Sequence, residues 1–230
     1  MTEPKRCPRC GHAVEMTVYD RGEPVLVPCF CRCHTLESRR LECFTVPEMG
    51  LQTFEADDGK FGSDVVEKCR KYAEKLPDLR TGLLLFGPPD SGKTFLSCCI
   101  ANAALDKGMR VLVRSMPWVL SRGYDEVAST IEQLNRAELL VLDDLGAERA
   151  TDYGREIVYS VIDSRYQSRR PTVVSTNLTR IELANPAEMS NRRTYNRVLE
   201  MCLPLEVDTG RKRSTAGRYS DMAREYGWQD

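Results

Sequence analysis

Residues 87–94 read GPPDSGKT, the G-x-x-x-x-G-K-[ST] spacing that builds a phosphate cradle. Gly87 and Gly92 let the backbone close around phosphate oxygens, and Pro88, Pro89, Asp90 and Ser91 make the turn between them. Free amides at the start of the following helix then face the anion. In that frame the Lys93 ammonium lies between β- and γ-phosphates, and the Thr94 hydroxyl ligates Mg²⁺. A second element, ELLVLDDL, ends in the pair Asp143 and Asp144. At the C-terminal end of a buried strand, Asp143 would hold Mg²⁺, directly or through water, and Asp144 would polarise an attacking water as general base. A third element, TVVSTNLT, places Asn177 just past an apolar run, where its amide could orient that water. Asp90 departs from the pattern. A carboxylate aimed at phosphates would repel them, so it is expected to point outward.

Such a site needs a parallel sheet whose strand ends meet at one edge. Residues from about 81 to 213 alternate short apolar strands with helical patterns, as that architecture requires. The strands are expected at Leu83–Phe86, Val111–Val113, Leu139–Leu142, Thr172–Ser175 and Leu203–Val207. The helices are expected at Lys93–Asp106, within Pro117–Leu134, and at Tyr153–Gln167 and Glu188–Met201. Residues 41–80 read as a connector with a helix in SDVVEKCRKYAEKL, capped by Ser63 or Asp64. Residues 1–40 form a separate small zone, and 81–230 the nucleotide domain.

The front zone is rich in soft ligands. CPRCG (7–11) and VPCFCRCH (27–34) bracket VEMTVYDRGEPVLV, whose alternation and Arg21-Gly22 turn predict a hairpin. Cys7-x-x-Cys10 is a metal knuckle, and the nearly twenty-residue spacing to Cys29 resembles a zinc-ribbon loop. Four tetrahedral positions can be filled from Cys7, Cys10, Cys29, Cys31, Cys33 and His34, with Cys31-x-x-His34 an admissible second knuckle. A zone this small buries little core, so ligation of Zn²⁺ would supply folding free energy. The remaining cysteines, Cys43, Cys69, Cys98, Cys99 and Cys202, read as small buried apolar residues.

Composition narrows the classes. With 33 basic and 34 acidic residues and a net charge of -1, no global basic excess marks a nucleic-acid binder, although a local basic face is compatible with these counts. At 41% hydrophobic and 29% charged the chain reads as globular. It has no run long enough to span a bilayer and no apolar leader, so a cytoplasmic location is expected, and with it metal binding rather than disulfides for the clustered thiols.

Taken together, TFEADDGKFG, GLLLFGPPDSGKTFLSCCIANAAL, LLVLDDLGAERATDYGREIVYSVIDSRYQSRRPTVVSTNLT and YNRVLEMC resemble AAA+ ATPases of the DnaC/DnaI type, the replicative helicase loaders, particularly those of phages and mobile elements. The resemblance covers about residues 43–213, and the front end is similar to the zinc-binding region of DnaI-type members. It implies an α/β P-loop NTPase fold, with a small zinc-ribbon-like module before the core. Only about 17 residues follow Arg213 in the 230-residue chain, so no C-terminal lid is expected.

The resemblance further implies residue roles. Cys7, Cys10, Cys29 and Cys31 match the favoured zinc ligands. Arg197 in NRRTYNRVLEMC matches an arginine finger that reaches a neighbouring subunit's ATP, with Arg192 and Arg193 as competitors. Arg213 in TGRKRST matches a sensor-2 arginine, in a register that Arg211 and Lys212 leave open. The segment RSMPWVLSRGYDEVAST corresponds to one that contacts single-stranded DNA. There Arg114, Trp118 and Arg122, with Tyr124, could pair phosphates and stack bases, or else form an amphipathic helix burying Trp118 and Leu120. The implied function is ATP-dependent loading of a hexameric replicative helicase onto single-stranded DNA, with self-association in the ATP state. An IstB-type transposition helper ATPase is the alternative. A small-molecule kinase and a non-hydrolysing adaptor fit less well, because Asp143, Asp144 and Asn177 suit water activation.

Overall fold

In the computed structural model the described residues are 15–20, 23–28, 32–57, 59, 62–147 and 151–208. Strands β1 (Glu15–Asp20) and β2 (Glu23–Pro28) pair antiparallel with Asp20 opposite Glu23. The expected hairpin strands are therefore present.

Helix α1 (Arg32–Cys43) follows, unforeseen in the sequence, and runs across the expected boundary at residue 40. Its C-terminal half is tied to the nucleotide domain. Arg39 donates to the Gly108 carbonyl, and Arg40 pairs with Asp106 at 3.0 Å. Near its end, Arg114 donates to the carbonyls of Cys43 and Glu42 at 2.7 and 3.0 Å. The connector then passes through short 3₁₀ turns at Pro47–Leu51 and Phe54–Ala56 before α2 (Ser63–Lys75). The cap of α2 is Gly62, with φ 72, in place of the expected Ser63 or Asp64, and no side chain caps it.

Beyond the connector come β3 (Gly82–Phe86), α3 (Lys93–Asp106), β4 (Val111–Ser115), α4 (Met116–Leu120) and α5 (Tyr124–Arg136). They are followed by β5 (Leu139–Leu145), α6 (Asp152–Ser168), β6 (Thr172–Thr176), α7 (Arg180–Ala184), α8 (Arg192–Met201) and β7 (Cys202–Glu206). The five strands β3–β7 form one parallel sheet in the order β4-β5-β6-β3-β7. The helix expected within 117–134 is two helices, interrupted at Ser121–Gly123, and that expected at 188–201 opens with a 3₁₀ turn at Met189–Asn191.

Both sheet faces are buried, which is why the central strands read as continuous apolar runs. On β5, Leu139 and Val141 pack with α3 and α2, while Leu140 and Leu142 pack with α6 and its neighbours. Two side chains anchor the connector onto α3. The Asn102 amide donates to the Met49 and Gln52 carbonyls. The Lys107 ammonium donates to the carbonyls of Ala73, Glu74 and Leu76 at the end of α2, where a cation also complements the helix dipole.

Cys43, Cys69, Cys98, Cys99 and Cys202 are all free and buried, as expected. Burial pushes the thiols of Cys43, Cys69, Cys98 and Cys202 up to about 12, so they are packing groups without nucleophilic character. Among the described residues no helix is long and apolar enough to cross a membrane.

Candidate nucleotide site

The cradle forms where β3 ends. Gly87 has φ 148, and a Cβ there would meet the Val207 carbonyl oxygen at 2.3 Å. Only glycine fits beneath Val207, whose amide donates to Phe86 at 2.8 Å. Gly92, with φ 97, caps α3. Pro88, Pro89 and Asp90 are exposed and Ser91 is buried, so Asp90 lies on the outside of the loop, at φ 60. Lys93 donates to the carbonyls of Gly87 and Pro88 at 3.0 and 2.7 Å, and to Ser91 Oγ at 3.3 Å. Burial draws its ammonium below the ordinary lysine range; Asp144, Asp143 and Asp90 oppose that shift through their charge.

Opposite the loop, β5 runs on through both aspartates to Leu145, beyond its expected end at Leu142. The β5–β6 register shifts between Leu142 and Leu145, and Asp144 adopts φ 59, a region few residues other than glycine occupy. Thr94 Oγ1 donates toward Asp143 Oδ2 at 3.0 Å and Oδ1 at 3.2 Å. Two hard oxygen donors meeting beside a phosphate cradle suit Mg²⁺; Thr94 and Asp143 are the residues that would hold it, and it would neutralise phosphate charge there. Burial, and then the charge of Asp143, raise the Asp144 carboxyl above its ordinary value, against the pull of Lys93. Asn177 is exposed just past β6. Because Phe86 pairs with Thr176, Asn177 emerges beside the start of the cradle.

Ser175 carries no role in the sequence reading, yet its buried hydroxyl donates to Asp143 Oδ1 and accepts from the Asp144 amide at 3.1 Å. Its signal is a hydroxyl directly after the apolar pair Val173-Val174 of a buried strand, TVVST, since a buried hydroxyl needs a partner.

The other expected sites fare differently. Arg114 is only 8% exposed, and its guanidinium is committed to the carbonyls of Cys43, Glu42 and Val113. Its expected place on a DNA surface is thus corrected: these bonds hold α1 against β4. Trp118 is half-buried, stacked between Arg114 at 4.9 Å and Arg122 at 4.0 Å. Arg197 faces α6 of its own chain. It pairs with Asp163 and lies over the rings of Tyr159 and Tyr166 at 4.7 and 5.5 Å, whereas Arg192 and Arg193 are exposed. Cys7, Cys10, Cys29, Cys31 and Arg213 lie outside the described residues, as do the side chains of Cys33 and His34.

A phosphate loop, a strand-end acid pair and a strand-end amide on one edge of a parallel sheet define a P-loop core with the AAA+ fold. Residues 75–186 match the family described as IstB-like ATP binding protein. The chain is 27% identical over 121 residues to the replicative helicase loader DnaC of Escherichia coli, covering 50% of this chain and 49% of that protein. It is 29% identical over 216 residues to the phage-like element PBSX protein XkdC of Bacillus subtilis, covering 85% and 79% respectively. The solved structure of the DnaC helicase loader superposes with a TM-score of 0.60 at 24% identity, over 71% of this chain and 100% of that one. Over residues 75–186 the chain is thus similar to ATP-binding proteins of the IstB and DnaC type, and it shares the fold of the DnaC structure, a likeness that implies ATP and Mg²⁺. It spans about half the length of the curated DnaC relatives it matches.

Proposed function

We propose that this chain is an ATP-driven loader of a hexameric replicative helicase onto single-stranded DNA. The observation that carries the reading is the DnaC alignment, supported by the approach of Thr94 to Asp143 beside the phosphate loop. Hydrolysis proceeds as a water oxygen bonds the γ-phosphorus while the bond from that phosphorus to the β–γ bridging oxygen breaks. The water proton passes to Asp144, Asn177 orients the water, and the Lys93 ammonium offsets charge on the phosphates. ATP binding tightens contacts between loaders, and hydrolysis releases the helicase. Docking belongs to the N-terminal module, in which Cys7, Cys10, Cys29 and Cys31 hold zinc, with Cys33 or His34 as substitutes, and Arg213 contacts the nucleotide. Trp118 and Arg122 remain the residues offered to single-stranded DNA, and the cytoplasm is the place where such a partner is met. In full-length protein, Cys7→Ser with Cys10→Ser is expected to remove bound zinc and abolish ATP-dependent capture of a purified replicative helicase. Full capture by the zinc-free variant would sink the docking role.

The family match favours one further reading, a helper ATPase that acts with a transposase. Capture of a transposase, and of no helicase, in the same pull-down selects it.

As the trans-acting arginine, Arg197 has to leave Asp163, and the ion pair opposes that movement. Asp163→Asn keeps the shape and removes the charge. Hydrolysis per subunit at high protein concentration is expected to rise several-fold, with a small fall in Tm from loss of a partly exposed pair of about 1 kcal/mol. An unchanged rate together with a lowered Tm would assign Arg197 to joining α6 and α8 within one subunit.

A further inference from the structure

The pair Asp143-Asp144 poses a geometric problem. Consecutive residues of a regular strand point to opposite faces of the sheet, so a regular β5 would present only one of its two acids to the nucleotide. The Asp143 carboxylate takes the side of the sheet that faces Thr94, which in a regular strand would leave Asp144 pointing away from it. The backbone resolves this by breaking register between Leu142 and Leu145 and placing Asp144 at φ 59, the kind of irregularity that re-aims a side chain next to an active site. Something has to hold that conformation, because it is disfavoured by of order 1–3 kcal/mol.

Ser175 supplies the hold. It sits at zero exposure on β6, which pairs with β5 on one side and with β3 on the other. A hydroxyl has one proton to donate and lone pairs to accept with, and this one uses both functions on neighbouring residues. It donates to Asp143 Oδ1 and accepts from the Asp144 amide. Asp143 also accepts from Thr94, so its carboxylate is gripped from two directions. One hydroxyl therefore fixes a carboxylate that faces Thr94 and the backbone of the carboxylate assigned as base.

We propose that Ser175 is a positioning residue for phosphoryl transfer, setting the relative placement of Asp143 and Asp144 by bridging the carboxylate of the first to the amide of the second. The inference rests on the ATPase reading above and adds to it a residue that acts through Asp143 and Asp144 from within the sheet.

The test compares Ser175→Ala and Ser175→Thr in the full chain, measuring kcat, KM for ATP, the Mg²⁺ concentration for half-activation, and Tm. Ser175→Ala is expected to lower kcat by about 10- to 100-fold, as loss of a partner orienting a ligating carboxylate does, and to raise the Mg²⁺ requirement. KM for ATP should change little, and Ser175→Thr, which keeps the hydroxyl, should recover most of the rate. Where Ser175→Ala fails to fold, Ser175→Cys replaces it, since a thiol is a weak donor of similar size, and the same loss of kcat is expected. A lowered Tm with unchanged kcat and unchanged Mg²⁺ dependence would overturn the inference and leave Ser175 a packing residue. A wild type that binds fluorescent ATP without hydrolysing it refutes the ATPase reading separately. The inference is then read from Mg²⁺-dependent nucleotide binding, which Ser175→Ala is expected to weaken and which, if unaltered, rejects it.

Discussion

Asp144→Asn is expected to stop ATP turnover while ATP still binds. The substitution is nearly isosteric, so the irregular end of β5, held through the Asp144 amide by Ser175, is preserved. What disappears is a carboxylate able to take the water proton, and a positioned general base contributes about 10²- to 10⁴-fold to rate. Binding has no reason to fall. The oxygens placed to hold Mg²⁺ would be those of Thr94 and Asp143, which meet at 3.0 and 3.2 Å, and removing one negative charge near the phosphates relieves repulsion. Phosphate release should therefore drop by at least about 10²-fold, with fluorescent-nucleotide affinity equal to wild type or tighter. In the loader reading this variant also captures helicase and fails to let it go. Turnover retained within a few-fold would mean that Asp144 is not the base, and Asn177 together with bulk water would then have to carry the reaction. Weakened binding with proportionate loss of turnover would instead place Asp144 among the phosphate or metal contacts.

How far the site was legible depends on whether the chemistry is local in sequence. GPPDSGKT was readable because eight consecutive residues make the whole cradle, and its glycines are forced by backbone geometry that any such loop shares. Asp143 and Asp144 were readable as acids closing an apolar run. Their break in alternation was not, since it is fixed from another strand by Ser175, 31 residues from Asp144. Arg114 shows the same limit with a wrong expectation. An arginine beside a tryptophan suits nucleic acid by composition, but its bonds run to Cys43 and Glu42, 71 and 72 residues away. Those partners lie on α1, a helix whose sequence, RCHTLESRRLEC, carries too weak an apolar stripe to announce itself. The helix is held by polar ties from Arg39, Arg40 and Arg114, which periodicity does not register. The sheet was legible for the opposite reason. Its strands are buried on both faces, and five short apolar runs separated by helical patterns leave few other topologies.

Arg165→Met is expected to cost the domain about 3–5 kcal/mol of stability, at the scale of leaving several buried polar groups unpaired. Arg165 is 1% exposed, and the hydrogen bonds its guanidinium makes go to neutral oxygens. Its Nε donates to Thr172 Oγ1 at 3.0 Å, and its Nη2 to the Pro171 carbonyl at 2.8 Å. Its Nη1 donates to the Ala137 carbonyl at 2.9 Å and, more weakly, to those of Asn135 and Leu134 at 3.4 and 3.5 Å. Leu134 and Asn135 belong to the last turn of α5, where carbonyls lack helical partners and a cation is favoured. Burial, foremost, pulls the guanidinium down to about 10, so it still carries its charge at neutral pH and is held by dipoles. Methionine fills much of the volume and satisfies none of these acceptors. Arg165→Lys keeps the charge without the planar fork and should fall between the two. All of these contacts lie where β5 and β6 begin, whereas the nucleotide site lies where they end. Denaturant unfolding should thus shift strongly while KM for ATP, measured well below Tm, stays at the wild-type value. Stability within about 1 kcal/mol of wild type, the scale of a single net hydrogen bond, would show that water enters and replaces the guanidinium. A raised KM at low temperature would show instead that this end of the sheet communicates with the phosphate loop.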